Sequence, residues 1–168
     1  TFTNKAAGEM RERIHAIAPK SGTWVGTFHG LCARLLRQYG HHAGLDRGFT
    51  IYDQGDRGRL IKSALERLGL DGAGVSPDRV EAAISRAKND LGSPESYATR
   101  GGGDHIAAIV AKVYPLYQQA LLDASAVDFD DLLTHLVAIL RRRPEVRARL
   151  DSEYRYILVD EYQDTNRA

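Results

Sequence analysis

The chain has 168 residues, of which 43% are hydrophobic and 27% charged, with a net charge of +1. This composition supports a buried core and excludes a disordered tail or a collagen-like fibre, and the single cysteine, Cys32, excludes a disulfide scaffold. No apolar run approaches the ~20 residues of a membrane span and no signal peptide opens the chain, so we expect a cytoplasmic protein. Residues 1–50 carry seven Lys and Arg against three Asp and Glu, which is compatible with phosphate contact or with an ordinary solvated helix face.

Two helix patterns and one strand pattern fill the first forty residues. Thr3 or Asn4 can cap a helix that ends near Pro19. Residues 23–28 follow a Ser-Gly turn and are rich in β-branched and aromatic side chains, which predicts a short strand. A second helix follows this strand and ends around Gly40.

The middle of the chain carries amphipathic helix patterns and no strand pattern. Residues 57–68 form the first, and Ser76 with Pro77 is a good capping pair for the second. A later pattern follows the glycine loop at residues 101–103, and Pro115 within it predicts a kink or a new helix start. Five basic side chains are expected on the polar faces of these helices, available to DNA: Arg57, Arg59, Lys62, Arg86 and Lys88.

The last forty residues contain the strongest apolar stripe, a short helix and a second strand pattern. The stripe predicts one helix, whose first acids we interpret as ordinary caps, and Pro144 begins the short helix. Residues 156–159 are a continuous apolar run, as expected of a strand buried on both faces. The stripe consists of Phe129, Leu132, Leu133, Leu136, Val137 and Leu140.

The order of these elements predicts a predominantly helical α/β protein. The two strand patterns lie only in the flanks, residues 1–45 and 126–168, which we interpret as parts of a P-loop-type parallel sheet. Residues 46–125 are expected to form an all-helical subdomain inserted into that α/β unit.

Two acids follow the second strand pattern. Asp160 and Glu161 would lie at the carboxyl edge of a parallel sheet, where open α/β folds bind ligands. The first carboxylate can hold Mg²⁺, and the second can orient and deprotonate a water that attacks a γ-phosphate. The pattern alone is weak, because an exposed strand end with two acids is equally common.

The residues around these acids carry a resemblance to a known family. Residues 158–166 read LVDEYQDTN and resemble the Walker B motif DE[YF]QDTN of the UvrD/Rep/PcrA family of superfamily 1 DNA helicases. Residues 1–13 resemble motif Ia of that family, and residues 24–31, WVGTFHGL, resemble its motif Ib, most closely in the UvrD branch. Residues 128–133, DFDDLL, resemble the segment that precedes the Walker B strand. These segments occur in the family's order and span nearly the whole chain.

The resemblance implies a nucleotide set and a DNA set of site residues. Asp160 would hold the Mg²⁺ of MgATP, Glu161 would be the general base, and Gln163 with Asp164 would link the nucleotide site to neighbouring motifs. A second group would lie along the single-stranded DNA track, namely Phe2, Thr3, Asn4, Thr27, Phe28 and His29.

Elementary chemistry is consistent with the DNA set. A helix that begins at Asn4 presents free backbone N–H groups to a phosphate, and a neighbouring aromatic ring can stack on a base. Without the motifs, Phe2 and Phe28 would be interpreted as core aromatics and His29 as a half-buried imidazole. The motif context favours the DNA interpretation for all three.

The chain contains no Gly-x-x-x-x-Gly-Lys-Ser/Thr and no Gly-Lys dipeptide. In the family the P-loop precedes motif Ia and the second motor domain follows Walker B. The resemblance therefore implies a piece of an ATP-dependent helicase, with the insert as its 1B-like subdomain, and we expect this piece alone to be inactive.

The expected whole protein couples ATP hydrolysis to 3′-to-5′ translocation on single-stranded DNA and to unwinding, in repair or replication. Its expected partners are single-stranded DNA, single-strand/duplex junctions and the rest of the helicase chain, with no membrane. Two alternatives are a non-catalytic helical module that binds DNA or protein, and an independent metal-dependent hydrolase that uses Asp160, Glu161 and Asp164.

Overall fold

A computed structural model describes residues 1–72, 74–99 and 104–165. Within those ranges the chain forms mostly α-helices, joined by one pair of short strands. The elements in order are α1 Asn4–Ile17, α2 Phe28–Tyr39, β1 Thr50–Ile51, α3 Gln54–Arg67, α4 Pro77–Asn89, α5 Pro94–Thr99, α6 His105–Asp123, β2 Ala126–Val127, α7 Phe129–Arg142 and α8 Pro144–Glu153. Short 3-10 turns occur at Gly40–Ala43 and Tyr162–Asp164.

Local capping explains where most helices begin. The Thr3 hydroxyl accepts a hydrogen bond from the Ala6 N–H, and Ser76 caps α4 ahead of Pro77, as the sequence predicts. The helix α6 continues through Pro115, so the predicted restart there is wrong. Val113, Tyr114 and Tyr117 are buried on either side of that proline, and their packing outweighs the lost backbone hydrogen bond.

The buried side chains form two hydrophobic cores. One core lies between α3, α4 and α6, and its most buried members include Ile61, Val80 and Val110. The other lies between α2, α7 and α8, around Leu36 and Leu132. Each group of helices buries its own apolar stripes, and the two groups meet where Lys88 of α4 lies against Asp128 and Asp131 at the start of α7.

The strands β1 and β2 join the two cores where the chain enters and leaves the helical middle. They pair in parallel, with Thr50 opposite Ala126 and Ile51 opposite Val127. The Thr50 N–H donates to the Ser125 carbonyl at 3.0 Å, and the Tyr52 N–H donates to the Val127 carbonyl at 2.8 Å. The two connections of the middle segment therefore lie side by side.

The predominantly helical α/β fold with a parallel sheet is confirmed, but the predicted strand positions are wrong. Residues 23–27 are irregular and Phe28 already begins α2. Residues 156–159 are also irregular, and the side chains of Tyr156 and Leu158 are 93% and 96% exposed. A strand needs a neighbouring backbone to pair with, and within the described ranges neither segment has one.

Three further observations concern the predictions. Phe129, expected to point inward on the α7 stripe, is 52% exposed. The glycine loop at residues 101–103 and Asn166 of the acidic segment lie outside the described residues. Among the helices that the structure describes, none has the length and apolar character needed to cross a membrane.

Candidate functional site

The starts of α1 and α2 lie next to each other. The Thr1 ammonium donates to the Gly26 carbonyl at 3.2 Å, and the Arg11 guanidinium donates to the Val25 carbonyl at 3.0 Å. The Thr27 hydroxyl caps α2 by accepting from the Gly30 N–H at 3.1 Å. These contacts bring the two segments that resemble motifs Ia and Ib to one side of the molecule.

A cavity of about 260 Å³ opens where these helix starts meet the acidic end of the chain. Three of the residues predicted to contact DNA line it together, although the remaining three, Thr3, Asn4 and Thr27, do not. Thr3 and Thr27 instead use their hydroxyls as helix caps. The cavity is lined by Phe2, Phe28, His29, Leu133, Val159, Tyr162 and Thr165.

The aromatic rings that line this cavity differ in their exposure to solvent. Phe2 is 51% exposed, whereas Phe28 and His29 are half-buried. The His29 ring lies 5.3 Å from the Phe129 ring, tilted by 52°. An exposed phenylalanine at the rim of an apolar cavity is able to stack on a planar ring without losing core packing.

His29 is held in its uncharged form at neutral pH. Burial lowers the pKa of His29, and the nearby Asp130 carboxylate opposes this effect only in part. The pKa of His29 therefore lies below its ordinary value of 6.5. The imidazole therefore offers a ring face and a hydrogen-bonding nitrogen rather than a positive charge.

The two acids of the nucleotide set are exposed, and Asp160 lies beside the first residue of the chain. Asp160 Oδ2 accepts a hydrogen bond from the Thr1 hydroxyl at 3.2 Å. The Gln163 side-chain amide donates to Glu161, and the Thr165 N–H closes the following turn on the Tyr162 carbonyl at 3.2 Å. The segment predicted as motif Ia thus touches the acidic segment directly.

Glu161 has an uncommon backbone conformation, with φ +52° and ψ +48°. This left-handed region costs a residue with a Cβ on the order of 1 kcal/mol, and such strain is concentrated at functional sites. The turn points the chain away from the exposed run at residues 156–159 and into the Tyr162–Asp164 turn.

The donor set near Asp160 fits a magnesium ion held mainly by phosphate and water. Carboxylate and hydroxyl oxygens from Asp160 and Thr1 are the hard ligands that Mg²⁺ prefers, and this ion commonly takes only one or two protein carboxylates. Across the described ranges, no group of three or more His, Cys, Asp or Glu side chains is placed to hold a metal ion.

Several lining residues were not predicted from the sequence. The sequence predicts Val159 within a buried strand, and Tyr162 and Thr165 belong to the Walker B-like motif without a predicted role of their own. Val159 and Tyr162 directly flank the two acids, and this position is the signal that could have indicated them. Leu133 is buried in the core, as the α7 stripe predicts, and its place one turn into α7 also brings it to the cavity.

The prediction that Lys88 faces solvent is wrong. Lys88 is 1% exposed and lies between acids of α7, because α4 turns that face toward the flanking unit. Arg57 is also engaged, in an ion pair with Glu81 at 2.8 Å. Of the five predicted basic contacts, Arg59, Lys62 and Arg86 remain on exposed positions.

The chain belongs to the UvrD/REP helicase family. The UvrD/REP helicase N-terminal domain matches residues 1–168, the full length of the chain. The family resemblance carried by the motifs is therefore confirmed.

Relatives with curated names agree with this assignment. The chain is 41% identical over 170 residues to the ATP-dependent DNA helicase PcrA of Bacillus subtilis (strain 168). It is 44% identical over 174 residues to the ATP-dependent DNA helicase UvrD1 of Mycobacterium bovis (strain ATCC BAA-935 / AF2122/97). Both alignments cover 100% of the chain but only 23% and 22% of those relatives, so the chain spans less than a quarter of their length.

Proposed function

We propose that this chain is part of the motor of an ATP-dependent DNA helicase, where it joins a single-stranded DNA track to the acidic end of a nucleotide site. The observation that carries the proposal is the cavity in which Phe2, Phe28 and His29 meet Val159 and Tyr162. Residues from the two ends of the chain share one surface there, as a coupling between DNA and nucleotide requires.

At the DNA track, the exposed ring of Phe2 stacks on a base while the uncharged His29 ring supports it from the cavity. Stacking on an aromatic ring contributes about 1–3 kcal/mol per base and tolerates any sequence, as a translocating motor needs. The backbone N–H groups at the start of α1, near Asn4, face a phosphate.

At the nucleotide site, the Glu161 carboxylate accepts the proton of the water that attacks the γ-phosphate. Gln163 donates to Glu161 and keeps that carboxylate oriented. Asp160 would hold the magnesium ion of MgATP, which neutralises charge on the phosphates when bound. Thr1 donates to Asp160 and ties this carboxylate to the start of the DNA segment.

The proposal extends to the domain organisation and to the whole protein. Residues 1–45 and 126–168 belong to one motor domain, and residues 46–125 form a 1B-like helical insert. The whole protein translocates 3′-to-5′ on single-stranded DNA and unwinds junctions in the cytoplasm during repair or replication. The two hydrophobic cores support a division of this kind, with the difference that Phe49 and Ile51 pack in the core of the flanks and Ala126 packs in the core of the helical middle.

The test uses full-length protein containing this chain, with Phe2→Ala, His29→Ala and the double variant. We expect each single variant to bind a labelled oligo-dT more weakly. From the stacking energies involved, the affinity of the double variant should fall by roughly 10- to 100-fold. Ile17→Ala is the matched control, because Ile17 is 85% exposed and does not line the cavity. Unchanged DNA affinity in the double variant would overturn the DNA assignment of this surface.

A further inference from the structure

A buried charge cluster connects the helical middle to α7. Lys88 Nζ lies 2.6 Å from Asp128 Oδ2 and 2.7 Å from Asp131 Oδ1, and the three side chains are 1–3% exposed. The Tyr117 hydroxyl of α6 donates to the same Asp128 oxygen at 2.8 Å, and the Gln118 amide donates to Asp131 Oδ2 at 3.2 Å. Side chains of α4 and α6 thus form hydrogen bonds and ion pairs with the first turn of α7.

The cap of α7 does not depend on Lys88. The Asp131 N–H donates to Asp128 Oδ1 at 2.8 Å, and the Asp128 N–H donates to Asp131 Oδ2 at 3.3 Å, which completes a capping box. Buried ion pairs also contribute little net stability, because desolvation offsets the attraction. What Lys88 adds is a fixed attachment between the helical middle and an already formed helix start.

That helix start reaches the proposed DNA surface. Phe129 lies between the two capping acids, and its ring contacts the His29 ring at a centroid distance of 5.3 Å. Leu133, one turn further along α7, lines the same cavity as His29. Any rotation or fraying of the first turn of α7 therefore moves Phe129 against His29, which lines the cavity.

Charge gives a second reason for a cation at this position. Burial would raise the pKa of Asp128, but the Lys88 ammonium and several hydrogen bonds outweigh it, so the pKa is held below its ordinary value. Asp128 is therefore ionised close to a surface proposed to meet phosphates. Lys88 offsets that negative charge from the interior, without placing a cation on the surface.

We propose that Lys88 is a positioning residue of the DNA site, which fixes the first turn of α7 from the helical middle and thereby sets the Phe129–His29 contact. The inference rests on the proposed function, since it assigns an effect on DNA binding to a residue that touches no DNA. It also makes the helical middle a contributor to the DNA track through the interior of the protein.

The experiment measures oligo-dT affinity of the full-length protein in a double-mutant cycle. Lys88→Met and the milder, nearly isosteric Asp131→Asn are each made alone and together with His29→Ala. In the wild-type background, we expect each of the two substitutions to lower oligo-dT affinity by roughly 3- to 30-fold, the range typical of residues that act through others. In the His29→Ala background, we expect neither substitution to lower the affinity further. In DNA-stimulated ATP hydrolysis, the half-saturating DNA concentration rises while kcat at saturating DNA is unchanged.

The matched control is Glu81→Gln, which breaks the ion pair with Arg57 at 2.8 Å. The Glu81 side chain is 13% exposed, and the pair joins α3 to α4. Its influence on α7 is limited to the field that Glu81 and Arg57 exert on Asp128 and Asp130, whereas Lys88 contacts Asp128 and Asp131 directly. We expect lower thermal stability with unchanged DNA affinity, which separates positioning from general destabilisation.

Equal losses in the wild-type and His29→Ala backgrounds, or no loss at all, would overturn the role of Lys88. If Lys88→Met does not fold, Asp131→Asn decides, because the backbone N–H at position 131 still donates to the Asp128 cap while the attachment to Lys88 is weakened. The His29→Ala arm reports on the DNA site by itself. A His29→Ala variant with full affinity would refute the proposed function, whereas a weakened one beside an unaffected Asp131→Asn would refute only the positioning inference.

Discussion

Glu161 combines a left-handed backbone with a carboxylate that accepts a hydrogen bond from Gln163. In the full-length protein, Glu161→Gln keeps this shape but cannot take a proton from the attacking water. We expect ATP hydrolysis to fall by about 10²- to 10⁴-fold, the usual contribution of a general base. Binding of a fluorescent ATP analogue with Mg²⁺ should be retained.

Asp151→Asn serves as the control for this substitution. Asp151 is an exposed acid of α8, so its replacement removes the same charge at a distant position. Hydrolysis near the wild-type rate in Glu161→Gln would contradict the assignment of the general base. A loss of nucleotide binding equal to the loss of turnover would instead point to a disrupted turn.

At the scale of one element, the first turns of α7 make the fold sensitive to acid. Burial lowers the pKa of His135, with Asp131 and Asp128 opposing the shift and Lys88 adding to it. The folded protein therefore binds a proton at His135 less readily than the unfolded chain does, and stability declines as pH falls below about 6.5. The lowered pKa of Asp128 adds a second loss below about pH 4.

Thermal unfolding of this chain, followed by circular dichroism, checks this prediction. His135→Gln should flatten the decline in melting temperature between about pH 6.5 and 5, and leave the loss at lower pH in place. His15→Gln is the control, because His15 is an exposed residue of α1. An unchanged slope in His135→Gln would assign the acid sensitivity to other groups.

The helical middle has its own hydrophobic core, so we expect its role in unwinding to be separable from the role of the flanking unit in ATP hydrolysis. Replacing residues 53–124 of the full-length protein with a Gly/Ser linker of about ten residues should preserve the parallel pairing of β1 and β2. We expect kcat for DNA-stimulated ATP hydrolysis to be largely retained, half-saturating DNA to rise as Lys88 is lost, and duplex unwinding to be impaired. Equal loss of turnover and unwinding would make the middle purely structural.

The elements also show what the sequence could predict. Capping residues and apolar stripes of period 3.6 are local signals, so the long helices, such as those begun by Thr3 and Ser76, were predicted correctly. Strands depend on a partner backbone, which the pattern at residues 156–159 does not encode. The true strands are two residues each, too short for any periodic signal.

The site could be predicted only through its motifs. Phe2, Phe28 and His29 were proposed together from motif context, and the structure places all three on one cavity. The burial of Lys88 was not predicted, because a lysine is usually solvated even where, as here, it follows Ile84 by four residues on the apolar face of its helix. Only packing between two cores determines which polar face becomes an interface.

At the scale of the whole molecule, the chain would supply one wall of the proposed DNA track and the acidic edge of the proposed nucleotide site, and its sequence contains no Gly-Lys dipeptide. We expect no ATP hydrolysis above background from these 168 residues, and weak oligo-dT binding with a shallow dependence on salt, because few phosphates are neutralised. Filter binding between about 50 and 200 mM salt and a phosphate-release assay check both points. Turnover that disappears in Glu161→Gln would revive the independent-hydrolase alternative.

The pairing of β1 with β2 has a consequence for how such a protein can diversify. Both connections of the helical middle leave the flanking unit within one strand spacing of each other, about 4.8 Å. The length and shape of everything between them can therefore change without altering the separation of the two junctions. The sequence of the middle can then vary widely, provided that Lys88 and its partners Asp128 and Asp131 are kept to hold the orientation of that segment.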